Sequence, residues 1–80
     1  MTLKTAETDI TYTIEQINAS EEGMKDFLFT LGCFPGQDIT IISKVSSNYV
    51  INIKDARYSI DGELAEAISI RTQEEMKKIV

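Results

Sequence analysis

The stretch Leu31-Gly32-Cys33-Phe34-Pro35-Gly36 divides this chain, because no regular helix can run across it. A Gly just past an amphipathic run, with Pro three residues further on, is the chemistry of a helix stop. Pro-Gly then favours a tight turn, since Pro presets φ and Gly accepts φ > 0. The clearest helical pattern lies upstream and the clearest strand patterns lie downstream, so a helix hands over to a sheet here. By itself the stretch identifies a scaffold and no chemistry.

Upstream, residues 1–9 are polar without a clean period and are expected to form a loose arm. From Ile10 the pattern alternates. Ile10, Tyr12 and Ile14 face one way and Thr11, Thr13 and Glu15 the other, as in a half-buried strand. Ile17 breaks the phase, which signals a bulge or the strand's end. Ser20 is placed to cap a helix over residues 21–31, with Glu21 and Glu22 suiting the positive end of its dipole. Met24, Phe27, Leu28 and Leu31 make its apolar stripe, and Phe29 lies off that stripe.

Downstream, residues 38–45 read as a strand with Ile39, Ile41 and Val45 on one face. Ser46-Ser47-Asn48 is a turn, and Tyr49, Ile51 and Ile53 alternate along the second arm of a hairpin. Asp55-Ala56 turns the chain into a brief strand, residues 57–60, and Asp61-Gly62 is another turn. Residues 63–66 can form one helical turn before a last strand, 67–71. The tail, 72–80, has helical composition with Glu74 and Lys78 four apart. The fold expected is mainly β with one short helix, a partly open small barrel of about five strands. A flat sheet of this size would leave long edges unprotected. The helix would cover one opening, and the first strand must pair with the far half of the chain.

Thirteen acids against eight scattered bases give a net charge of −5. Nucleic-acid binding needs clustered Lys and Arg, so nucleic acid is not the expected partner. No stretch has signal-peptide layout or membrane-spanning length, and a single cysteine fits a reduced compartment. A cytoplasmic protein without direct membrane insertion is the simplest reading.

No catalytic constellation stands out. The chain has no His and one Cys, and its carboxylates sit on separate elements, so neither a metal site nor a cofactor is expected. Cys33 lacks a base to activate it, and no serine has the usual partner. Gly23, Gly32, Gly36 and Gly62 match no phosphate-binding spacing. An enzyme is not expected. What remains is surface: Phe29, Phe34, Tyr49 and Tyr58 exceed what the periodic faces require. They complete a small core, or Phe29, Cys33 and Phe34 form an exposed patch that docks a partner.

The ordered set Leu28-x-x-Leu31-Gly32-x-x-Pro35-Gly36, an Ile/Val hairpin, and Ala65-x-x-Ile68-x-Ile70 resembles the FeoA (ferrous iron transport protein A) core domain over roughly residues 10–71. The resemblance implies an SH3-like barrel in which Leu28, Leu31, Gly32, Pro35 and Gly36 are framework positions. It also implies a cytosolic accessory that binds and modulates FeoB, the membrane ferrous iron transporter with a GTP-binding domain, and is recruited by it to the inner membrane face. A similar domain forms the C-terminal part of some iron- and manganese-dependent repressors. Two places depart from the pattern. The hairpin loop is only Ser46-Ser47-Asn48, and Asp61 stands where the family often has a basic residue. The alternative function is a small-barrel adaptor, unrelated to iron, that binds peptides through its aromatic rim.

Overall fold

The computed structural model describes residues 1–73. After a short 3-10 turn, Leu3–Thr5, come strand β1 (Thr11–Ile17), helix α1 (Glu22–Leu31), and strands β2 (Asp38–Val45), β3 (Asn48–Ile53) and β4 (Ala56–Asp61). Helix α2 (Gly62–Ala67) and strand β5 (Ile68–Thr72) follow. The strands form one antiparallel sheet in the order β4-β3-β2-β1-β5. β1 therefore sits between its near neighbour β2 and the distant β5, the long-range pairing expected of it.

Local chemistry accounts for the turns. Ser46 takes φ 57° in the β2–β3 connection, and Lys54 and Asp55 take 49° and 65° between β3 and β4. Two consecutive positive φ values match the right-handed twist of a tight hairpin. Asp61 is more than a turn residue: its Oδ1 accepts from the Leu64 N–H at 2.9 Å and so caps α2. Ser20 does not cap α1. Glu21 occupies that position, and no side chain bonds the free N–H groups there.

Two bulges reset the faces of the strands. A register shift between Ile14 and Gln16 turns Ile17 into the core, as the broken phase suggested. A second, between Ile41 and Ser43, turns Val45 outward, so it does not share the face of Ile39 and Ile41. The β1 expectation needs the same kind of correction at its start, because Ile10 precedes the strand and is exposed.

The core gathers Ile14, Leu28, Ile39, Ile41, Ile51, Ile53, Ile60, Ile68 and Ile70. The N-terminal arm is not loose. Leu3 and Ala6 are fully buried in that core, Ile70 N–H donates to the Met1 carbonyl, and Asp9 N–H donates to that of Ile41. β4 and β5 do not pair, and the gap between them is filled by α2 and the 3-10 turn, which pack on each other. α2 is thus a second helix where one turn was expected. Thr72 belongs to β5, opposite Tyr12, so the tail does not begin there. The Glu74–Lys78 pairing lies outside the described residues.

Candidate partner-binding surface

The end of α1 is built by two hydrogen bonds. Gly32, at φ 100°, donates its N–H to the Phe29 carbonyl, and Cys33 donates to that of Leu28, each at 3.0 Å. Together they make a Schellman motif, which consumes carbonyls a helix end leaves free. A Cβ on Gly32 would meet Ile53 Cγ2 at 3.4 Å, an ordinary contact, so it is the left-handed φ that selects glycine there.

The next four residues are a turn with Pro35 in its second place and Gly36, at φ 91°, in its third. Gln37 N–H donates to the Phe34 carbonyl at 3.0 Å, the pattern of a type II turn. Gly36 N–H then donates to Ile14 and Ile14 N–H to Gln37, both at 2.8 Å, which ties the turn to β1. The framework residues Leu28, Leu31, Gly32, Pro35 and Gly36 thus fall in one continuous junction. Leu28 is fully buried and Leu31 half-buried.

This junction sets the aromatic surface. The Phe34 ring stacks on that of Phe29, with centroids 5.2 Å apart and planes inclined by 27°. Phe29 is half-buried, whereas Phe34 is 43% exposed. Lys25 places its ammonium 5.6 Å from the Phe29 centroid, and Lys54 places its own 5.7 Å from that of Phe34. Both distances suit cation–π attraction.

Of the three patch residues expected, Phe29 and Phe34 come together and Cys33 does not join them. Cys33 is fully buried, because the Schellman geometry sets its side chain inward beside Leu28. Burial also pushes its thiol up to about 11, so it is a neutral packing group at physiological pH. The apolar stripe of α1 is rotated from the expected one: Leu28 points inward, Met24, Phe29 and Leu31 flank it, and Phe27 is exposed. Sequence reasoning missed both lysines. Lys25 carried a signal, lying one helical turn before Phe29. Lys54 carried none, since only the β3–β4 hairpin brings it close.

The remaining polar contacts support the frame. Glu15 accepts hydrogen bonds from Ser69 and from Arg71 across the β1–β5 pair, and these hold its carboxyl below the ordinary value. Tyr12 Oη accepts from the Glu7 N–H at 3.1 Å, and Tyr49 Oη donates to the Lys4 carbonyl at 3.3 Å, so both tyrosines pin the N-terminal arm. Among the described residues no three His, Cys, Asp or Glu side chains gather as metal ligands. No described helix is long and apolar enough to cross a membrane.

Several solved structures share the architecture. An iron uptake regulatory protein (FeoA) superposes with a TM-score of 0.80 at 18% identity, over 89% of this chain and 95% of that one. FeoA of Stenotrophomonas maltophilia in complex with zinc, described as an SH3 domain protein, gives 0.82 at 14% identity over 89% of each chain. A manganese-dependent transcriptional repressor gives 0.83 at 15% identity, over 90% of this chain and only 41% of the repressor. The expected SH3-like fold is therefore borne out. No curated protein sequence matches. A family model described as the FeoA domain matches residues 1–72, which takes in the N-terminal arm as well as the barrel. The chain belongs to the FeoA domain family, which is linked to ferrous iron transport.

Proposed function

We propose that this chain is a cytosolic accessory of ferrous iron uptake. It binds the cytosolic GTP-binding region of a FeoB-type membrane transporter, modulates it, and is drawn to the inner membrane face by that contact. Membership of the FeoA family supports the setting. The observation that carries the binding role is the exposed Phe34 ring, stacked on Phe29 and held at a junction fixed by a Schellman motif and a type II turn. A ring held this way loses little freedom on binding, which is how a small surface gains affinity. The protein acts by contact and contributes no chemistry of its own.

Titrating the isotopically labelled protein with the transporter's GTP-binding region tests this, with and without nucleotide. Amide shifts should concentrate on α1, residues 32–37 and the β3–β4 turn, and Phe34→Ala should weaken binding at least tenfold with the fold intact. Absence of any shift in both nucleotide states would overturn the reading. Shifts produced instead by a proline-rich peptide would favour the adaptor alternative.

A further inference from the structure

The chain is acidic overall, −5, yet both aromatic rings of the junction carry a lysine ammonium. The described residues hold two salt bridges, Lys4–Glu66 and Arg71–Glu15, and neither Lys25 nor Lys54 takes part in one. Among the described residues both cations sit on one aromatic stack with no carboxylate in salt-bridge contact, so two positive charges lie directly against the stacked rings of an acidic chain. Such a patch is complementary to a surface of apolar side chains flanked by carboxylates. The rings would take the apolar group, and each ammonium can exchange a ring face for a carboxylate without unfolding anything.

From this we infer that the Lys25–Phe29–Phe34–Lys54 cluster recognises an acidic, apolar-centred segment of the partner. The inference deepens the transporter reading and rests on it. Lys25 comes from α1 and Lys54 from the β3–β4 turn, so the two charges are fixed on separate elements. They set the orientation of the bound segment as well as its charge. A basic or purely apolar segment would leave both ammoniums facing nothing, or facing repulsion, and is selected against.

The test uses the full chain and the transporter's GTP-binding region as probe, with affinity measured by calorimetry at low and at moderate salt. Lys25→Glu with Lys54→Glu should weaken binding more than tenfold and flatten its salt dependence. Lys25→Met with Lys54→Met keeps the apolar stems over the rings and removes the charge. It should weaken binding several-fold, which covers the case of a glutamate variant that fails to fold. Unchanged or tighter binding by the methionine variant would overturn the inference while leaving the transporter reading in place. Wild-type protein that does not bind the region at all would remove both.

Discussion

Phe34 stacks on Phe29 across the helix stop, so the last turn of α1 and the loop after it are one packed unit. The two residues contribute differently. Phe29 is half-buried and packs against the core, whereas much of Phe34 faces solvent.

Phe29→Ala should cost about 2 kcal/mol, below the range for a fully buried Phe because part of this ring is exposed. Phe34→Ala should cost under about 1 kcal/mol. A double-mutant cycle by urea denaturation should give a coupling of about 0.5–1.5 kcal/mol, the range for aromatic pairs. Zero coupling would mean that the stack does not form in solution.

Gly32→Ala should destabilise by about 1–2 kcal/mol, the strain of holding a side chain in the left-handed region. The added Cβ would meet Ile53 Cγ2 at 3.4 Å, an ordinary contact that adds no clash. Gly36→Ala, at φ 91° with open space around its Cβ position, should cost a similar amount. A loss much larger at Gly32 than at Gly36 in chemical denaturation would mean that packing, and not φ alone, selects glycine there.

Leu3→Ala should cost about 2–4 kcal/mol, the range for a buried leucine truncated to alanine. The alternative, an arm that merely trails from the barrel, would give a loss under about 0.5 kcal/mol. Thermal unfolding of the variant separates the two outcomes.

Cys33 should resist thiol reagents at neutral pH and react only as the protein unfolds. Its folded pKa, about 11, lies above the ordinary value near 9.0. The neutral thiol therefore stabilises the fold below pH 9, and that contribution is lost as pH rises through the folded value. Cys33→Ala should show a shallower alkaline loss of melting temperature than the wild type.

Glu15 behaves in the opposite sense. Hydrogen bonds from Arg71 and Ser69 lower its folded pKa, so the stabilisation is present above the unfolded-state value and is lost as pH falls through the folded one. Melting temperatures of wild type and Glu15→Gln should differ at neutral pH and converge in acid. A constant gap would show that the carboxylate charge is not involved.

The sequence announced the helix stop plainly, because Gly and Pro act through backbone geometry that neighbours rarely override. The hairpins were equally legible, their turns lying between alternating apolar runs. Features decided at a distance were not legible. Leu3 and Ala6 are two apolar residues in a polar arm, and only the gap between β4 and β5 gives them a place. Each bulge adds one residue and reverses a face, which is why Val45 faces outward where plain alternation predicts inward. Phe29 fell off the helical stripe because its partner Phe34 lies beyond the end of the helix. Phe34 nevertheless lies beside it, since the stop itself brings the two together. Cys33 follows the same pattern in sequence, but the two hydrogen bonds of the Schellman motif rotate it inward.

The position of β1 between β2 and β5 also governs the order of assembly. A ribosome completes β1 early, and β2 can join it soon afterwards, but its other flank waits until Thr72 has been made. Throughout that interval the β5-facing side of β1 has only water to bond, on a strand rich in β-branched residues. Such an edge invites pairing with other chains. A nascent chain stalled after Ala67 should therefore be captured by chaperones, and release through Thr72 should end that capture.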